Sequence, residues 1–144
     1  MNVLRKAAFV LGCAFLITGC ALNSASPVQS KIVTGCMTCR VSIALPPSAV
    51  VKDRLVDVSR ADSPATVIGE QVIKTAGRQV PLAFEIAYDP KRIEERFTYS
   101  VQVRIEDENG RLRFLSDRHY PVLTSGAGRY VDLLLIAAAA PAPW

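Results

Sequence analysis

The sequence predicts an all-β fold: a single seven-stranded antiparallel β-sandwich of the Ig-like kind, over residues 31–136. Three observations predict it. Phe97, Tyr99, Val101, Val103 and Ile105 alternate with Thr98, Ser100, Gln102 and Arg104, and a period of two means one buried face and one wet face. Turn signals recur about every ten residues from Pro46 onward, the spacing of a sandwich of short strands. The chain has 144 residues, 50% hydrophobic and 21% charged with both signs mixed, which fits one folded domain and excludes a disordered charged chain.

The elements follow in order. Residues 33–45 place Val33, Gly35, Met37, Cys39, Val41, Ile43 and Leu45 on one parity, and Pro46-Pro47 ends the strand. Residues 50–58 and 66–74 are the next two. Residues 80–88 alternate through Val80, Leu82, Phe84, Ile86 and Tyr88. Pro81 lacks an N–H, so this strand is expected at an edge or with a free N–H side there. Asp89-Pro90 is set to open one helical turn through Glu94, with Asp89 as its cap. Residues 97–105 come next. Asn109-Gly110 suits the positive φ values of a tight hairpin, so residues 111–117 pair with 97–105. Residues 130–136 complete the seven. The Ala/Pro-rich tail 137–144 is expected to fray.

The segment before the domain has its own logic. Arg5 and Lys6 precede an apolar run over 7–17, a charged region followed by a core too short to span a bilayer. Ile17-Thr18-Gly19-Cys20 resembles the bacterial lipobox, in which small residues fit the protease and the thiol takes the lipid. Residues 1–19 are therefore read as a cleaved lipoprotein signal. Cys20 then heads a polar, flexible tether over 20–30. The rival Val10-Leu11-Gly12-Cys13 would leave too short an apolar core. A diacylglycerol and an N-acyl chain on Cys20 would give stable anchoring, and no other cofactor is expected. Ala21, a non-aspartate, favours the outer membrane by resemblance to enterobacterial sorting rules. Without Arg5 and Lys6 the chain carries 15 basic and 13 acidic residues. That is no nucleic-acid footprint.

Several motifs together resemble the YbaY/YscW lipoprotein domain family. They are Leu45-Pro46-Pro47-Ser48-Ala49, the run Asp57-Val58-Ser59-Arg60-Ala61-Asp62-Ser63-Pro64, Val80-Pro81-Leu82-Ala83-Phe84, Tyr88-Asp89-Pro90, Tyr120-Pro121-Val122 and Val131-Asp132-Leu133. The sequence looks closer to the YbaY branch. The resemblance implies a small β-sandwich lipoprotein of the Gram-negative outer membrane. Its YscW branch implies a pilotin, a chaperone that carries a secretin to that membrane. Cys36, Cys39 and Asp53 depart from the family pattern, as does the alanine- and proline-rich end.

Candidate chemistry is sparse. Cys36-Met37-Thr38-Cys39 is a C-x-x-C motif, the speculative redox pair. It lies in a strand, not at a helix start that would lower a thiol pKa. Three residues of strand separate the Cα atoms by roughly 10 Å, beyond disulfide reach. The ordinary reading makes Cys39 a core residue and Cys36 an outer one. His119, the only histidine, shares strand parity with Asp117, but a lone histidine makes neither a metal site nor a triad. Glu106-Asp107-Glu108 reads as a solvated turn. Lys91, Arg92 and Arg96 read as a solvated loop, with headgroups or a partner as the other option. Asp53, at an inward parity, implies a register change or a paired polar group, because an isolated buried carboxylate is costly. No catalytic or metal-binding motif is present.

The expectation is a lipid-anchored, periplasm-facing binding module of the envelope, pilotin-like and not an enzyme. Its partners would be membrane lipid through Cys20 and an outer-membrane or secretin-type protein held at a free sheet edge. The candidate edges are the Pro81 strand and the first strand. The alternatives are a thiol-redox or metal-handling protein through Cys36 and Cys39, or a passive structural lipoprotein.

Overall fold

The computed structural model describes residues 29–42 and 44–139. The lipobox residues Ile17, Thr18 and Gly19, the lipidation residue Cys20 and most of the tether lie outside the described residues. So does the end of the tail.

Eight strands and one short turn of helix are present among the described residues: β1 (Lys31–Cys39), β2 (Val50–Asp57), β3 (Thr66–Lys74), β4 (Leu82–Tyr88), η1 (Pro90–Arg92), β5 (Tyr99–Glu106), β6 (Leu112–Ser116), β7 (Tyr120–Val122) and β8 (Tyr130–Ala137). The all-β expectation holds. The Ig-like antiparallel sandwich does not. All strands belong to one sheet, ordered β3-β2-β5-β6-β8-β1-β4, with β7 also on β5. The first and last strands of that order pack against each other, so the sheet curls into a barrel closed by side chains. The sheet is also mixed. β8 runs parallel to β1, with Thr34 beside Tyr130 and Cys39 beside Leu135. The cause is that β6 and β7 both run antiparallel to β5 and carry the chain to the end where β1 begins, and the turn over 123–129 then reverses it. β8 must then run down the barrel in the same direction as β1.

Alternation builds the interior. Tyr99, Val101, Val103 and Ile105 of β5 are buried, as are Leu82, Phe84, Ile86 and Tyr88 of β4. These two strands follow the period read from the sequence. β1 ends earlier than expected: Val41 is exposed while Leu45 is a buried plug. Leu45 is fixed by Gln79, whose Oε1 accepts its N–H at 2.7 Å and whose Nε2 donates to its carbonyl at 3.2 Å. Gly35 of β1 has no room for a side chain. A Cβ there would meet the Val131 carbonyl and the Phe84 ring.

The seam between β3 and β4 has three ties. The backbones come closest at Gly69, where a Cβ would strike the Ala87 carbonyl. Gln71 Oε1 accepts the Glu85 N–H at 2.8 Å. Arg92, in η1, donates to the Ile68 and Val67 carbonyls, each at 3.0 Å. Arg92 is therefore a strap across the seam rather than a free loop cation. Asp89 caps η1 as expected, accepting the Lys91 N–H at 2.9 Å, though the helical turn stops at Arg92.

Two local expectations change. β5 and β6 do pair, but only Gly110 of the turn takes positive φ, at 74°. Asp107 Oδ1 accepts the N–H groups of Asn109 and Arg111 at 3.0 Å, so the carboxylate, not Asn109, organises the turn. The register shift at Ile105/Glu106 marks the accompanying bulge. The eighth strand, β7, was not expected. Three residues with a central proline give too little periodicity to be read as a strand.

Candidate functional site

The two strand edges proposed for binding are not free. β1 lies inside the sheet, between β8 and β4. β4 is an end strand, as Pro81 suggested, but its outer side lies against β3 and Gln71 occupies the Glu85 N–H. A partner seeking main-chain hydrogen bonds meets a sealed seam.

A surface groove remains, with a volume of about 590 Å³. Its floor is the outer face of β5, through Thr98, Ser100 and Gln102. One wall is the segment after β2, through Val58, Arg60, Ala61, Ser63 and Ala65; the other is His119 and Pro121 beside β7. The wall after β2 is built by the Asp57–Pro64 motif. Asp57 Oδ1 accepts from the Ser59 N–H at 2.9 Å and its hydroxyl at 2.6 Å. Ser59 Oγ then accepts the Thr98 N–H at 2.8 Å. The loop is thereby tied to the strand that forms the floor. The opposite wall is tied as well: Ser100 Oγ accepts the Tyr120 N–H at 2.9 Å. The Tyr120 hydroxyl donates to Asp117 at 2.6 Å and accepts from the Leu134 N–H at 2.8 Å. Burial, and then the Asp117 hydrogen bond, push the Tyr120 phenol up.

The groove opens at the end of the barrel where β1 begins. Lys31, Tyr88, Tyr99 and Tyr130 all mark that end through the strand registers. Any tether leading to Lys31 reaches the domain on this side.

The other candidate residues are dispersed. Cys36 and Cys39 are free, partly buried thiols in β1. Cys39 packs against the core and burial pushes its thiol up. Cys36 lies at the opposite parity, beside Asp132 of β8. Asp117 and His119 lie between strands, where the backbone bends at 117–118, and both line a second depression with Ser116 and Arg118. The Asp117 carboxylate serves Tyr120, and His119 lines the groove. Glu106 pairs with Lys52 at 2.7 Å, and Arg96 pairs with Glu94 at 2.8 Å and stacks on Phe97. Neither group converges on a ligand. Asp53 fulfils neither expectation. It faces the barrel interior beside Val51 and Leu55, fully buried, and neither oxygen has a hydrogen-bond partner. The bulge in the β2–β3 pairing lies on β3, at Ile68 opposite Leu55/Val56, so it leaves Asp53 at its inward parity. Burial pushes its carboxyl up to about 7. The groove residues Arg60, Ala61, Ser63 and Ala65 were missed as site residues. Their signal was the Asp57–Pro64 motif, read only as a family likeness.

A family model described as the type III secretion system lipoprotein chaperone (YscW) matches residues 28–135. The chain belongs to this family. Its YscW-type domain is 32% identical over 111 residues to the uncharacterized lipoprotein YbaY of Escherichia coli strain K12. That match covers 76% of this chain and 56% of YbaY, so the chain spans little more than half of that relative's length. A solved structure, an alternative pilotin from the type II secretion system of Vibrio cholerae, is 46% identical with a TM-score of 0.74. The match covers 78% of this chain and all of that one. The family model thus describes a lipoprotein chaperone, one relative is a lipoprotein and the solved structure is a pilotin.

Proposed function

We propose that this YscW-type chain is a pilotin-like lipoprotein, anchored through lipid on Cys20 at the periplasmic face of the outer membrane. It holds a segment of a secretin-type protein and directs that protein to the membrane. The observation that carries the reading is the 46% identity over a whole solved pilotin, higher than the 32% to YbaY. The fold is consistent with holding rather than catalysis. Its polar residues tie loops to strands, and among the described residues no hydroxyl of the groove is hydrogen-bonded to His119.

Lipid anchoring and partner binding are tested together. Envelopes are fractionated from cells carrying the wild-type chain and Cys20→Ala, after cross-linking and capture of the tagged protein. The expected result is wild type in the outer-membrane fraction with one secretin-type protein enriched, and the variant soluble. A Cys20→Ala chain that stays in the membrane would sink the anchor. A wild-type capture with no outer-membrane protein above the variant would sink the chaperone reading.

A further inference from the structure

We propose that the groove between the Asp57–Pro64 loop and β7 receives a short protein segment with bulky apolar side chains and an acidic side chain that pairs with Arg60. The inference rests on the reading that this chain works by holding a protein, and names where and by what chemistry.

Size comes first. A groove of about 590 Å³ falls in the range of ligand sites, roughly 300–1,000 Å³. Its floor runs from Thr98 to Gln102, about 13 Å of strand, room for a short peptide rather than a domain. Its lining is small where a partner would enter: Ala61, Ser63, Ala65 and Ser100. Small side chains on fixed backbone leave hollows for large ones, the arrangement in which buried anchors dominate binding.

Charge decides the rest. No acidic side chain lines the groove among the described residues, while Arg60 and His119 do. Arg60 makes no ion pair among the described residues. Of the loop's two acids, Asp57 is turned to Ser59, and Asp62 is exposed and makes no ion pair with Arg60. A guanidinium beside apolar surface, on a loop already held in place, presents a planar fork suited to a carboxylate. The held loop also reduces the ordering cost of binding. The seam ties exclude the competing mode, strand addition, at β4.

Peptide selection tests the inference without a natural partner. Random displayed peptides are selected on the full chain in detergent. Winners are then titrated by fluorescence anisotropy against wild type, Arg60→Glu, Ala65→Trp and a control on the exposed outer face of β3, Val72→Trp. Thermal melts verify that each variant is folded. The expected winners combine aromatic or large aliphatic residues with Asp or Glu. Their affinity should fall at least about tenfold on Arg60→Glu and on Ala65→Trp, and not on Val72→Trp. Replacing the peptide's acid by Lys should restore binding to Arg60→Glu. No selection above the bare support, winners without an acid, or winners insensitive to both groove variants would each overturn the inference. The envelope capture above judges the pilotin reading independently. A secretin-type protein still captured by Arg60→Glu and Ala65→Trp would leave that reading standing and remove the groove from it.

Discussion

Gln71 of β3 closes the barrel by accepting the main-chain N–H of Glu85 in β4 at 2.8 Å. A side chain thus does at the seam what a ladder hydrogen bond does elsewhere. Arg92 does the same from η1, reaching the Val67 and Ile68 carbonyls. An open sheet edge invites pairing with other chains, and these two residues occupy one donor and two acceptors along it. Each neutral bond of this kind contributes about 1 kcal/mol, and those to a charged donor about twice that. Gln71→Ala should therefore lower unfolding free energy by about 1 kcal/mol, and Arg92→Ala by about 2 kcal/mol. Urea unfolding gives the sum, and hydrogen exchange at Glu85 locates the first effect. Unchanged exchange at Glu85 in Gln71→Ala would show that the seam is held without it.

Asp53 should make the fold weaker as pH rises. Burial holds its carboxyl up to about 7, against an ordinary value near 4. Below about pH 4 the group is protonated in both folded and unfolded chains. Between about 4 and 7 the unfolded chain releases the proton and the folded chain keeps it. Stability then falls by up to about 1.4 kcal/mol per pH unit, and levels off above about 7. Asp53→Asn removes the titration while keeping the shape. Urea midpoints across pH 4 to 8.5 should decline in wild type and flatten in the variant, which becomes the more stable of the two at pH 8. The same decline in Asp53→Asn would assign the effect to another group.

Much of the architecture was legible, and the parts that were not share a cause. The alternation of residues in β4 and β5 reflects contacts each strand makes through its own two faces, so local sequence reports it. Pro81 marked an end strand because its missing N–H is likewise a local property. The parallel pairing of β8 with β1, by contrast, depends on β7 carrying the chain on in the direction of β6 to the turn over 123–129, which reverses it. The three residues of β7 carry no readable period. Barrel closure depends on Gly69, Gln71 and Arg92, which come from two segments and touch only after folding. The groove was half legible. Its wall motif stood out, but its floor at Thr98, Ser100 and Gln102 read simply as the wet face of a strand. Asp53 was visible as an anomaly of parity, and sequence physics then argued that it must be paired or displaced. The fold leaves it unpaired and inside.

Gly35→Ala should be among the most damaging single-atom changes available. A methyl there meets both the Phe84 ring and the Val131 carbonyl, with β1 held between β4 and β8. Overpacking typically costs about 1–3 kcal/mol, and backbone on one side leaves little room to relax, so about 3 kcal/mol or more is expected. Adding Phe84→Leu relieves the ring but not the carbonyl. The double variant should therefore recover little in thermal unfolding. Full recovery would show that the ring alone limits the site.

The groove wall should loosen when Ser59 loses its hydroxyl. Ser59 Oγ donates to Asp57 at 2.6 Å and accepts the Thr98 N–H at 2.8 Å, so one atom links the loop motif to the floor strand. Ser59→Ala leaves the Thr98 N–H without that acceptor. Thr98 is exposed and water can replace the bond, so the global cost should be only about 1 kcal/mol. The local effect should be larger. Hydrogen exchange at Thr98 should quicken, and the loop over 60–65 should become more susceptible to proteolysis, since a segment that opens locally is cleaved in proportion to its open population. Ser59→Thr keeps the hydroxyl and should retain wild-type protection. If Ser59→Ala destabilises the whole domain yet leaves exchange at Thr98 and cleavage of the loop unchanged, the Asp57–Pro64 motif is not what holds the groove open.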